Sequence, residues 1–263
     1  MIASFSRTVG SRLASYLSKA QAGYQRLDTV CIEDVAEVLK TGDIVLVEGN
    51  TRISVAIKYL TQSSWSHACL FVGSDGDRAE KETLLEADLV EGARLVNLKR
   101  YEEFNLRICR PVNLTEQEKK MLISFAKSKL GNKYDLKNVI DLVRYIIQKP
   151  PVPNRYRRSM IALGSGEPTK VICSTLIAES FQSIDYPILP ERDREQGSEG
   201  EVPQYYRRHF THFTPRDFDL SPYFEVVKPT LEKGFDFKNL KWNCLLYTSD
   251  AADEGLGVDL GGR

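Results

Sequence analysis

The chain of 263 residues carries 36 Lys and Arg against 36 Asp and Glu, so its formal net charge is zero and nothing in it forms the electrostatic footprint of a nucleic-acid partner. Hydrophobic residues make up 42%, ample for a buried core. No apolar run reaches the roughly 18 residues of a membrane-spanning helix, and the N-terminus lacks the apolar core and small-residue cleavage site of a signal peptide.

Residues 2–20 have the spacing of an amphipathic helix, with Ile2, Phe5, Val9, Leu13, Tyr16 and Leu17 on one stripe. The segment is a candidate for peripheral contact with a membrane surface, and equally for packing on the domain that follows. Residues 32–40 predict a second short helix, and Thr41-Gly42-Asp43 a turn. Ile44 to Glu48 predicts a strand, Ile53 to Thr61 a helix, and His67 to Val72 a strand. Thr83 to Asp88, Ala93 to Leu98 and Leu106 to Val112 are three further strands, so four β-prone runs follow one another with short polar turns, as in an antiparallel sheet. Thr115 and Glu118 form a capping-box pattern opening a helix to about Leu130. A helix over Leu136 to Ile147, a loop over 154–169, a mobile surface loop over 186–203 and a last strand at Phe224 to Val227 complete the reading. Cys244 to Glu254 resembles the translation of a sequencing-library adapter, and 244–263 is set aside as non-native.

The five cysteines, Cys31, Cys69, Cys109, Cys173 and Cys244, are widely spaced and form no CxxC pair. That pattern fits a reducing, cytoplasmic compartment and argues against a zinc ribbon or a disulfide framework. Cys173 stands out. It falls where the β-prone Lys170-Val171-Ile172 passes into a helical pattern marked by Leu176, Ile177, Phe181 and Ile184. At a helix start, free backbone N–H groups and the helix dipole favour thiolate over thiol. A small core residue is the competing reading. A nucleophilic thiol needs a base, and the histidines are only His67, His209 and His212. His67 opens a strand, where a side chain is held rigidly at the rim of a sheet. Imidazole beside thiol is the minimum pair for nucleophilic catalysis, and a third polar group fixes the ring. Glu86 interrupts the apolar run Leu84-Leu85-Glu86-Ala87, so it is either paired or on a solvated face. Asp88 and Glu91 are the alternatives.

In this order the motifs resemble a known family, the YiiX/YebB-like, circularly permuted papain-fold cysteine hydrolases related to the NlpC group, and within it members labelled lipo-like proteins. The residues that carry the resemblance are Gly42-Asp43-Ile44-Val45-Leu46-Val47, Glu48-Gly49-Asn50-Thr51-Arg52-Ile53-Ser54, Trp65-Ser66-His67-Ala68, Leu85-Glu86-Ala87 with Gly92-Ala93-Arg94-Leu95, Gly131-Asn132-Lys133-Tyr134-Asp135 and Ile172-Cys173-Ser174-Thr175-Leu176-Ile177. The resemblance implies an α+β fold with an antiparallel sheet and helices to one side. It implies Cys173 as nucleophile, His67 as base and Glu86 as orienting residue, with the oxyanion near the Cys173 backbone N–H. Trp65, Tyr134 and Ser174 are candidate substrate-binding residues, although Trp65 also reads as a buried anchor, and Arg52 is a candidate anion contact or a capping residue. The implied reaction is hydrolysis or transfer at a peptide, amide or acyl-ester carbonyl through an acyl-enzyme, without a metal or organic cofactor. The expected organisation is a helical segment over 1–41, the hydrolase domain over 42–228 and an extension over 229–243. A non-catalytic binding module, or a peripheral membrane protein led by its N-terminal helix, are the rival readings.

Overall fold

The computed structural model describes residues 16, 19–20, 23–27, 30–73, 82–88, 91–132, 172–192, 205–236, 238 and 240. The chain divides into two units, Met1–Lys233 and Gly234–Arg263. In the second unit the described residues include a short turn in which the Lys238 backbone N–H donates to Asp236.

Six strands build the main sheet of the first unit: β1 (Ile44–Val47), β2 (His67–Phe71), β3 (Glu82–Asp88), β4 (Gly92–Asn97), β5 (Leu106–Pro111) and β8 (Phe224–Val227). Their order is β4-β3-β2-β1-β5-β8 and every pairing is antiparallel. The small strands β6 (Glu191–Arg192) and β7 (Tyr205–Tyr206) form a separate pair. The helices among the described residues are α1 (Ile32–Val38), α2 (Arg52–Thr61), α3 (Glu116–Ser128), α4 (Ile172–Gln182), α5 (Pro215–Leu220) and α6 (Pro229–Glu232). The fold is α+β, as the sequence predicts. Among the described residues no helix is long and apolar enough to cross a membrane.

One expectation needs correction: the helices do not lie to one side. β1 reads Ile-Val-Leu-Val, and all four residues are buried. A strand buried throughout needs cover on both faces. Ile44 and Leu46 join Ala68, Leu70, Leu85 and Ala87 in one cluster, which α3 and α4 complete with Leu122, Ala126, Leu176, Ile177 and Phe181. Val45 and Val47 join Cys69, Phe71, Leu84 and Ile108 on the opposite face, covered by Ile32, Val35 and Leu39 of the α1 region and by Leu98 and Tyr101 of a 3-10 turn.

Local chemistry sets the element ends. Thr115 and Glu118 close the capping box of α3, with the Glu118 carboxylate accepting from the Thr115 backbone N–H at 2.8 Å. The Thr51 hydroxyl caps α2 by accepting from the Ser54 N–H. Gly49, between β1 and α2, admits no side chain: an added Cβ would collide with Ser54 Oγ and stand 2.8 Å from Ser66 Oγ. That close approach lets the Gly49 N–H donate to Ser66 Oγ at 2.9 Å, tying the end of β1 to the approach to β2. Arg52 is not placed as an anion contact. Its guanidinium rests 4.0 Å from the centre of the Tyr16 ring, and its backbone N–H donates to Lys19 O. Tyr16, Lys19 and Ala20 are the only described residues of the predicted 2–20 helix.

The segment predicted as a mobile loop after α4 starts as packed structure. The Tyr186 ring joins Phe181 and Phe224 in a cluster of three mutually touching rings, its hydroxyl lies within hydrogen-bond reach of both Tyr223 O and Val112 O, and Ile188 is buried. Residues 193–204 lie outside the described residues, as do the predicted helix over 136–147, the loop over 154–169 and the terminal stretch 244–263.

A buried ion pair ties these layers together. Arg110 Nε and NH2 donate to Asp43 Oδ1 and Oδ2 at 3.0 and 2.8 Å, and NH2 also reaches Val38 O at 2.7 Å. The fork thus joins the start of β1 to β5 and to the end of α1. Removing one member strands the other charge away from water. Asp43→Ala should therefore lower unfolding stability by about 3–5 kcal/mol, whereas replacing both residues by apolar ones of similar volume should cost much less. Urea denaturation of the single and double variants checks this.

Candidate active site

Cys173 is the second residue of α4 and is buried. The helix start that the sequence predicts is present, and residues 170–171 before it lie outside the described residues. α4 packs on β2 and β3 through Leu176, Ile177 and Phe181. This brings Cys173 to the start of β2, against His67 and the Ala68 backbone, both of which favour its thiolate.

His67 alternates with Cys69 and Phe71 along β2, and its side chain meets Glu86 of β3. His67 Nε2 and Glu86 Oε2 are 2.6 Å apart. The Glu86 side chain is 3% exposed and that of His67 22%. A carboxylate so buried needs donors, and it has them. Arg94 Nε donates to Oε1 at 2.9 Å, and the Tyr101 hydroxyl donates to Oε2. Glu86 and Arg94 are register partners across β3 and β4. Behind Tyr101, the Cys69 thiol lies 3.6 Å from the phenol oxygen and donates to it.

The charges follow from these contacts. Burial pushes the Glu86 carboxyl up, but the His67 hydrogen bond and charge, Tyr101 and Arg94 outweigh it and bring Glu86 down to about 2. Burial opposes the His67 imidazolium, but Tyr101, Cys69 and Cys173 around it hold its pKa well above the ordinary 6.5. Burial also opposes the Cys173 thiolate; the charge and hydrogen bond of His67, with the Ala68 backbone and Ser174, lower the thiol below its ordinary value. The other core thiols go the opposite way: burial raises Cys69, and pushes Cys109 up to about 12.

The remaining candidates separate. Asp88 and Glu91 are ion-paired to Arg94, while Glu86 carries the bond to His67. Trp65 is buried in the core and donates through Nε1 to Asp219 at 3.2 Å, with the Arg107 guanidinium 4.8 Å from its ring centre. That arrangement is the anchor reading of Trp65 rather than the cleft wall. Ser174 is fully buried, its hydroxyl 3.9 Å from the Cys173 sulfur. Tyr134 lies outside the described residues. Sequence reasoning missed Tyr101, Arg94 and Cys69 as neighbours of the pair; the available signal was the β3–β4 hairpin, which sets Arg94 opposite Glu86.

His67, Cys69 and Glu86 are also the cluster whose ligand atoms lie close enough to suggest a metal, all within 4.8 Å of one another. Their geometry is that of a hydrogen-bonded network instead. Two ligands of one tetrahedral Zn²⁺ stand about 3.3 Å apart, whereas Nε2 and Oε2 are separated by 2.6 Å, the span of a shared proton. The Cys69 thiol is held protonated by burial, and Arg94 already neutralises the carboxylate. As arranged, these residues do not fit a metal ion.

The buried pair makes a signed prediction. The depressed Glu86 contributes stability that is present above pH 4.5 and lost as pH falls toward about 2. The raised His67 contributes stability that is full below pH 6.5 and lost as pH rises through its folded pKa. Glu86→Gln should thus cost on the order of 3 kcal/mol near about pH 5.5, with a deficit that shrinks toward both acid and alkaline pH. Urea titrations of parent and variant across pH check it, and a deficit flat with pH would contradict the assignment.

Comparison with known proteins finds a family over part of the chain. Residues 38–145 match the model of the permuted papain-like amidase family YaeF/YiiX. That stretch contains His67, Glu86, Arg94 and Tyr101 and ends before Cys173. A curated relative, "Probable lipoprotein peptidase YaeF" of Escherichia coli, is 22% identical over 172 residues, covering 59% of this chain and 60% of that protein. The chain thus spans about three fifths of that relative's length. Among solved structures, "metalloprotein yiiX" of Escherichia coli aligns over 72% of this chain and 96% of its own, at 16% identity and a TM-score of 0.44. The resemblance read from the sequence is therefore to the YaeF/YiiX family of permuted papain-like proteins, which this chain matches over residues 38–145.

Proposed function

We propose that this chain is a thiol-dependent hydrolase of amide, peptide or ester bonds, with Cys173 as nucleophile, His67 as base and Glu86 as the group that orients the ring. The observation that carries the reading is the buried 2.6 Å bond between His67 Nε2 and Glu86, made beside a cysteine at a helix start. With Nε2 committed to Glu86, Nδ1 is the ring nitrogen left for the thiol. The proton passes from sulfur to imidazole, and the thiolate attacks the carbonyl carbon. The developing oxyanion is met by backbone N–H groups at the start of α4, the Cys173 N–H among them. His67 then protonates the leaving amine or alcohol, and later takes a proton from the water that releases the acyl group from sulfur.

Amides are the favoured class, because the matching family is described as amidases and the curated relative as a peptidase. The word lipoprotein in that relative's name motivates a substrate near a membrane, which residues 2–20 would approach. The catalytic unit on this reading is 42–228.

The test is the pH dependence of Cys173 alkylation by iodoacetamide, read by peptide mapping against Cys31, Cys69 and Cys109. Cys173 should react fast well below pH 8, at least about tenfold faster than in His67→Ala, while the buried Cys69 and Cys109 stay slow. Cys173→Ala should abolish turnover in a panel of aryl amides and esters, and the parent should yield a thioester adduct by mass spectrometry. A Cys173 that reacts only near pH 8–9, unchanged by His67→Ala, would sink the proposal.

A further inference from the structure

The residues of the 3-10 turn and of β4 that close over Glu86 do more than fill space. Glu86 accepts on both oxygens: Arg94 on Oε1, and Tyr101 on the same Oε2 that meets His67. The Tyr101 ring also lies beside the imidazole, with centroids 6.0 Å apart. A lone carboxylate beside His67 would orient the ring but also lock it as imidazolium. A base that must accept a proton from water works best when it titrates near the working pH. A guanidinium on the carboxylate offsets part of the charge that the imidazolium meets.

We propose that Arg94 is a positioning residue that acts on His67 through Glu86, holding the carboxylate in one orientation while tempering its grip on the imidazolium; Tyr101 shares only the first task. The proposal rests on the functional reading above and deepens it. Neither residue touches the reacting atoms. The groups that meet His67 among the described residues are Glu86 from β3, Tyr101 from the 3-10 turn, Cys69 from its own strand and Cys173 from α4, and Arg94 from β4 is reached through Glu86. Asp88 and Glu91 are engaged by the same Arg94, so the guanidinium offsets three carboxylates at this sheet edge.

The sign of the effect separates this role from simple support. If Arg94 only held the fold, its loss would loosen the His67–Glu86 bond and His67 would titrate lower. On the proposal it titrates higher. The experiment is an NMR titration of His67 in the full chain carrying Cys173→Ala, which removes the thiol from the count. Against that background Arg94→Gln should raise the His67 pKa by about one unit. Arg94→Lys should restore most of the shift, and Glu86→Gln should lower it. The dispersion of the spectrum reports folding directly. An unchanged or lowered titration in a folded Arg94→Gln chain would overturn the proposal. The alkylation profile of the chain with its thiol intact judges the hydrolase reading separately: a sluggish Cys173 together with a raised His67 in Arg94→Gln would remove the enzyme and leave the electrostatic arrangement standing.

Discussion

One buried carboxylate governs the arrangement at the rim of this sheet. Glu86 sits in the apolar middle of its strand, and its desolvation is tolerable only because four donor groups from three elements reach it: His67 on β2, Arg94 twice on β4, and Tyr101 from the turn after β4. Each donor depends on strand register. A one-residue slip of β3 would turn Glu86 to the opposite face, toward Leu176 and Phe181, and leave a charge among apolar side chains. The same charge that defines the site thus penalises the wrong pairing of the sheet.

Electrostatics and packing divide the cysteines in the same way. Cys69 and Cys109 are enclosed in the sheet, and burial holds their protons on. Cys173 is equally enclosed, yet its thiol is lowered, because an imidazole and a backbone amide lie against it at the first turn of a helix. Burial alone therefore does not decide whether a thiol here is inert; its polar neighbours do.

The sequence was most informative where residue type and strand pattern conflict. A glutamate inside Leu84-Leu85-Glu86-Ala87 and a histidine at the head of an apolar strand both mark themselves, and the structure brings them together. The succession of antiparallel strands and the capping box of α3 were legible for similar local reasons. Tyr101 was not, because an aromatic after Lys99-Arg100 looks like any surface residue until the chain folds its hydroxyl back fifteen positions. Trp65 read either as a cleft wall, because it neighbours His67 in sequence, or more simply as a buried anchor, and its indole turns to Asp219. Cover on the second face was signalled by four consecutive buried residues in β1, but periodicity identifies a helix without saying where it docks.

The two core clusters on opposite faces of the sheet have a mechanical consequence. The cysteine is carried by a helix belonging to one layer, while the histidine and its carboxylate are braced by the other. They meet only because β2 begins at His67, where the sheet ends and a side chain from either layer can turn the edge. The thiol and the imidazole are thus separate parts of a two-piece device, aligned by the sheet between them as two jaws are aligned by a hinge pin. A cavity opened in either layer, far from sulfur or imidazole, would change the gap between the jaws while leaving each intact.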